Sequence, residues 1–200
     1  MTKVKNNFNL IFILVLINIS ITTLSNALVS LPLTLYGYKL TWAAFSFPLI
    51  IVATDLTVRL LGKSIAQKTI LYTYPLAIIS SILIIYIEGS LLSVAFRIGL
   101  ASTTAYAIGI FIDIYAFQFI RENYSTWWLA PALSTVISNI IDSYTFFFTA
   151  FFKSDDPYMA LNWIEIAGTQ TVLKIIIGLI FFLPAYGILL NFLLKRITKK

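Results

Sequence analysis

Apolar residues run along this chain in long blocks, with almost no alternation between hydrophobic and polar positions. Charges and turn residues divide the blocks into six, at about 8–30, 40–62, 69–87, 91–119, 127–152 and 168–194. Each is long enough to cross the roughly 30 Å hydrocarbon core of a bilayer as a helix, and far longer than a strand or an outer-membrane hairpin segment. Several exceed about 20 residues, which predicts tilt, kinks or extra turns beyond the lipid. Pro48, Pro75, Pro131 and Pro184 fall within or near the start of four blocks, where they free backbone groups and bend helices. The first block is too long for a signal-peptide core and has no small-x-small site before Pro32, so it reads as the first transmembrane helix.

Composition agrees. Of the 200 residues 60% are hydrophobic and 11% charged, and the mean hydropathy is +0.92. A soluble chain of this size would have too little polar surface to cover itself. The expected fold is therefore all-α: a polytopic bundle of six transmembrane helices forming a single integral membrane domain over residues 1–200. There is no cysteine and no histidine, which removes disulfides, thiolate chemistry and the commonest metal ligand. Neither a cofactor nor a metal is expected. The net charge of +6 sits in loops and ends and gives no sign of nucleic-acid binding.

Those charges predict orientation. Lys3 and Lys5 precede the first block, Lys63 and Lys68 lie between the second and third, Arg121 lies between the fourth and fifth, and Lys195, Arg196, Lys199 and Lys200 follow the sixth. The opposite side has Lys39 and Lys153 with Glu88, Asp155, Asp156 and Glu165. By the positive-inside rule both termini are cytoplasmic. Residues 153–168 read as an acidic turn and a short amphipathic stretch around Trp163, lying at the outer interface.

Within the blocks lie Asp55, Arg59, Arg97, Asp113, Asp142 and Lys174, three acids and three bases. A charge near the middle of a spanning helix costs roughly 2.5–3.5 kcal/mol on insertion scales, so these mark either helix-locking ion pairs or a polar site. At about 1.5 Å per residue, Asp55, Arg59 and Asp113 fall in the inner half, Arg97 and Lys174 in the outer part, and Asp142 centrally to outward. The expected pairs are Asp55 or Asp113 with Arg59, and Asp142 with Arg97 or Lys174. Ser138, Asn139, Asp142 and Thr145 share one side of the fifth block. They form either a ligand-binding face or a helix–helix hydrogen-bond seam. Ala101, Ala105 and Gly109, spaced by four, predict close helix packing. Trp127 and Trp128 read as an aromatic belt, whereas Trp42, Phe45 and Phe47 lie early in the second block, toward the outside.

The segments SFPLIIVATDLTVRLLG (46–62), WWLAPALSTVISNIIDS (127–143) and FFLPAYGILLNFLLKR (181–196), with the Asp of YAIGIFID (106–113), resemble the queuosine-precursor transporter family of the wider prokaryotic vitamin uptake group. The resemblance runs from about residue 25 to 195, in order and spacing. It implies a six-helix carrier of the bacterial cytoplasmic membrane that imports 7-cyano-7-deazaguanine or 7-aminomethyl-7-deazaguanine for queuosine salvage in transfer RNA. The implied partners are that planar base and membrane lipid, with a homo-oligomer open and no direct nucleic-acid contact. The chain departs from the family at Ile110, where a glutamine is usual, and at Gln170, where some relatives carry a carboxylate.

A guanine-like edge presents N–H and NH₂ donors side by side, which a carboxylate accepts in bidentate fashion. On this reading Asp142 takes that edge, Asn139 addresses the adjacent carbonyl, Trp42 or Phe45 stacks on the ring, and Lys174 belongs to the same site. Asp55, Arg59, Asp113 and Arg97 form the gating ion pairs. The rival readings are a substrate-binding subunit of an energy-coupling-factor vitamin transporter and, from another class, a membrane enzyme using an aspartate pair. No His-rich or Ser-centred motif supports the enzyme.

Overall fold

The computed structural model describes the backbone of residues 2–29, 32–35, 38–46 and 48–197, and the side chains of 9–25, 27, 28, 42, 45, 46 and 48–195. The basic side chains of Lys3, Lys5, Lys39, Arg196, Lys199 and Lys200, and Phe47, lie outside the described residues. In chain order come α1 (Thr2–Val29), a hairpin of β1 (Pro32–Leu35) and β2 (Tyr38–Thr41), α2 (Ala43–Ser46), α3 (Pro48–Leu61), α4 (Lys63–Ile87), α5 (Leu92–Asn123), α6 (Leu129–Phe151), α7 (Pro157–Ile177), a π-helical turn (Gly178–Phe182) and α8 (Leu183–Ile197). The fold is helical apart from the hairpin, whose antiparallel register pairs Pro32 with Thr41 and Leu35 with Tyr38. Among the described residues three stretches are long and apolar enough to cross a membrane: Lys63–Ile87, Leu92–Asn123 and Pro157–Lys195.

The expected second span, 40–62, is not one continuous helix. Its start belongs to β2, α2 occupies 43–46, and the regular helix begins at Pro48. Proline lacks the N–H that a helix interior needs but suits a first helical position, so the sequence breaks here. The remaining α3 has 14 residues and is about 21 Å long, short of a bilayer core. It ends at Gly62, whose φ of 96° lies in the left-handed region. That conformation lets the Gly62 N–H bond the Thr57 and Val58 carbonyls at 3.2 and 3.1 Å, closing α3 immediately before α4 begins.

The segment expected at the outer interface, 153–168, is also mostly helix. Asp156 caps α7, accepting from the Met159 N–H at 3.0 Å, and Pro157 opens it. The last helix therefore runs from Pro157 to Ile197, interrupted only by the π turn, where the Leu183 N–H reaches back five residues to the Gly178 carbonyl. Pro184 follows directly and cannot donate to the turn before it, which explains why the helix widens here.

α5 is the central element, packed against α3, α4 and α6. The core joins Ile50, Ile51 and Val58 of α3 to Ile110, Ile114 and Phe117 of α5, with Tyr186 and Leu190 of α8. Outward-facing Leu71, Leu76, Ile79, Leu83 and Ile188 form the apolar exterior suited to lipid. The small residues of α5 set its close approaches. At Gly109 an added Cβ would lie 3.1 Å from Asp142 Cβ on α6, and at Gly99 it would lie 2.6 Å from Ile82 Cγ1 and 3.1 Å from the Ile82 backbone on α4.

Gly99→Ala is thus expected to wedge α4 from α5. Overpacking of this kind costs roughly 1–3 kcal/mol, which should lower the melting temperature of the detergent-purified protein by several degrees. An unchanged melting temperature would contradict the packing described.

Candidate functional site

A band of polar side chains crosses the buried faces of α3, α5 and α6. On α6, Ser134, Thr135, Ser138, Asn139, Asp142 and Ser143 are all buried. Their three- and four-residue spacing puts them on one helix face. Helical Ser, Thr and Asn can satisfy themselves on the preceding turn, and several do. Asn139 donates through Nδ2 to the Thr135 carbonyl at 2.8 Å, and the Ser138 and Ser134 hydroxyls face the Thr135 and Pro131 carbonyls at 3.3 and 3.4 Å.

Asp142 is different, because it has a cationic partner. Lys174 of α7 donates to Asp142 Oδ2 at 2.8 Å and to Ser143 Oγ at 3.2 Å. This is one of the two alternatives open for Asp142. The other candidate, Arg97, instead closes the C-terminal end of α6: its guanidinium donates to the carbonyls of Thr149, Phe152 and Lys153. A cation at the negative end of a helix dipole accounts for that placement. Asp142 lies ten residues back from Phe152, about 15 Å along α6 and beyond reach.

The expected pairing of Arg59 with Asp55 or Asp113 is not formed. Arg59 reaches the Trp127 carbonyl at 3.5 Å and lies beside the Tyr186 hydroxyl. Asp55 and Asp113, 1% and 0% exposed, face each other within hydrogen-bonding reach. Neither has a basic side chain at ion-pair distance among the described residues. Asp55 Oδ1 and both Asp113 oxygens have no hydrogen-bond donor among the described residues. The physical reason lies in side-chain direction. Asp55 is short and points into the α3–α5 contact, whereas the long Arg59 side chain, in the last turn of α3, extends to the start of α6.

Two small recesses open onto this band. One is lined by Pro48, Ile51, Asp55, Thr135, Gly178 and Tyr186, among others. The second is lined by Ile51, Tyr106, Gly109, Ile110, Ser138, Asn139 and Asp142. Each is about large enough for one water molecule. Ile51 borders both. A wider groove lies beyond, lined by Arg59, Trp127, Gly187 and Asn191 with the apolar end of α8.

Trp42 and Phe45 contact each other, with ring centroids 5.9 Å apart, but neither lines either recess. The tyrosines that do, Tyr106 and Tyr186, went unnoticed in the sequence. Tyr106 meets Asn18 Oδ1 of α1 at 3.5 Å. The available signal was a hydroxyl inside an apolar run, which must find a partner when buried.

The family model described as "Putative vitamin uptake transporter" matches residues 41–189. The chain belongs to that family. The match takes in α3 to α6, the π turn and all six ionisable residues of the spans. The chain is 42% identical to the "Queuosine precursor transporter" of Escherichia coli (strain K12), over 96% of its own length and 92% of the relative's. It is 35% identical to the "Probable queuosine precursor transporter" of Haemophilus influenzae (strain ATCC 51907 / DSM 11121 / KW20 / Rd), over 81% and 73%. No solved structure matches the chain. The names are those of transporters, and with three helices of spanning length this member of the vitamin uptake family is a multi-pass protein of the bacterial inner membrane.

The Lys174–Asp142 pair gives a prediction free of any substrate. Removing one partner of a buried pair costs up to about 3–5 kcal/mol, and less where one end keeps some solvent. Lys174→Met should therefore lower thermal stability more than the double variant Asp142→Asn with Lys174→Met. Equal or additive losses would show that the pair is not coupled.

Proposed function

We propose that this chain imports queuosine precursors, the 7-deazaguanine bases 7-cyano-7-deazaguanine and 7-aminomethyl-7-deazaguanine, across the bacterial inner membrane. Support comes from the two named relatives and from the chemistry of the buried band. The observation that carries the reading is a carboxylate and an amide, Asp142 and Asn139, lining one recess, with the Lys174 ammonium bonded to that carboxylate. A guanine-type edge carries two adjacent N–H donors and one carbonyl acceptor. Asp142 complements the donors, and Lys174 or Asn139 complements the carbonyl.

In this arrangement the six helical passes are α1, α2 with α3, α4, α5, α6, and α7 with α8, forming one domain with both termini cytoplasmic. The broken second pass and the π turn in the sixth place irregular backbone beside the polar band. Such backbone at membrane depth is tolerated where it lines a cavity or is buried in protein, and it marks the binding region of many carriers. A purine-sized base does not fit the recesses as they stand, so binding requires them to merge. Displacing Ile51 would join them into one site running from Asp55 to Asp142. Arg59, beside Tyr186 and the wider groove, belongs to the inner gate; Arg97, holding the end of α6, belongs to the outer one. Trp42 and Phe45 lie outside the closed recess and would reach a base only after rearrangement.

Purified chain in liposomes should take up both labelled deazaguanines without added subunits. A requirement for partner ATPases would favour an energy-coupling-factor subunit instead. Loss of the charge-assisted bonds of Asp142, worth about 2 kcal/mol, should reduce uptake by Asp142→Asn roughly 30-fold. Wild-type uptake by a correctly inserted Asp142→Asn protein would rule out this site.

A further inference from the structure

Resting on the import reading above, we propose that Asp55 and Asp113 form a proton-binding site that couples substrate movement to the proton gradient. Two buried carboxylates, on α3 and α5, lie within hydrogen-bonding reach of each other, with no cation at ion-pair distance among the described residues. Three of their four oxygens have no hydrogen-bond donor among the described residues. Two ionised carboxylates so placed repel each other, whereas one proton between them makes an O–H···O bond and halves the charge. A structural ion pair does not account for the arrangement, because Arg59 is directed elsewhere.

An independent feature points to the same place. The Tyr186 hydroxyl of α8, 1% exposed, has the Arg59 guanidinium as a neighbour but no hydrogen bond of ordinary length among the described residues, and Tyr186 lines the recess that Asp55 lines. A phenol can donate to a carboxylate or accept from a carboxylic acid, so it serves either protonation state. The Ser134 and Ser138 hydroxyls beside Asp113 can likewise turn from the backbone carbonyls they now face. Other ionisable groups around the pair are few. Arg59 lies one turn further along α3, and Arg121 of α5 acts on Tyr186 from a distance. Lys63 of α4 sits over the Tyr115 ring, and Lys68 is exposed. The described side chains of α1 carry no charge.

The site adjoins the substrate recess through Ile51, one turn from Asp55 on the same helix and common to both recesses. A shift of α3 that admits a base must therefore also move Asp55 against Asp113. This is the geometric basis for coupling.

The test uses wild-type protein and Asp113→Asn in liposomes, with the neutral 7-cyano-7-deazaguanine as substrate. Both net accumulation and exchange of internal for external base are recorded. One proton per base and a gradient of one pH unit support about tenfold accumulation, since one pH unit is a factor of ten in proton activity. The base should also draw protons inward, read with an internal pH dye. In Asp113→Asn the ratio of net accumulation to exchange should fall by about tenfold, to the level of a facilitator. Wild-type accumulation that survives collapse of the proton gradient, or that follows sodium instead, overturns the proposal. So does proton inflow retained in Asp113→Asn. Failure of wild-type protein to exchange the base at all overturns the import reading, and this inference with it.

Discussion

The structure depends on how polar groups are satisfied where neither water nor a large apolar core can absorb an error. In the bilayer interior an unpaired polar group costs several kcal/mol, so every buried donor and acceptor needs a reason to be there. Many buried hydroxyls and amides meet that requirement cheaply, with Thr69, Thr73, Thr103 and Asn139 turned back onto carbonyls of their own helices. The Lys174–Asp142 contact meets it between helices. The Asp55–Asp113 contact does not meet it with donors among the described residues. A fold that keeps such an arrangement at its centre, against α5, is under a constraint other than stability.

The two sites differ in what they can exchange. Asp142 has a strong partner in Lys174, and on the proposed reading a ligand would replace that bond with the paired donors of a planar base. Asp55 and Asp113 have no cation at ion-pair distance among the described residues, so the smallest possible ligand changes their energetics most. Ile51 links them physically. Because packed interiors switch between discrete arrangements, one bulky side chain bordering two small recesses is a sufficient hinge for mutual dependence. The irregular elements fall in the same region: Pro48 at the start of α3, and Gly178 and Phe182 in the π turn. Pro48, Gly178 and Phe182 line the Asp55 recess directly.

Much of this was legible in the sequence. The apolar blocks gave the helices, and SNIIDS gave the buried face of α6, because helical period and hydropathy are local properties. The pairing of Asp142 with Lys174 was one of two readings that depth alone allowed. The Asp55–Arg59 spacing was misleading: residues four apart share a helix face, but a long guanidinium can reach a neighbour's backbone while a short carboxylate cannot. The break in the expected second span was signalled by Pro48, yet nothing local decides between a kinked helix and a hairpin followed by a short helix. Tyr106 and Tyr186 were hidden among 11 tyrosines, and only tertiary packing separates the two in the band from those on the surface.

The central claim is that a deazaguanine base occupies the space beside Ser138, Asn139 and Asp142. The absence of cysteine from the chain allows a direct measurement: Ser138→Cys in an otherwise unchanged protein, alkylated by a small thiol reagent in membrane vesicles, with and without 7-cyano-7-deazaguanine. The account predicts that saturating base slows alkylation severalfold, because it fills the merged recess. Alkylation at the same rate with and without the base, in protein that transports it, would contradict the account.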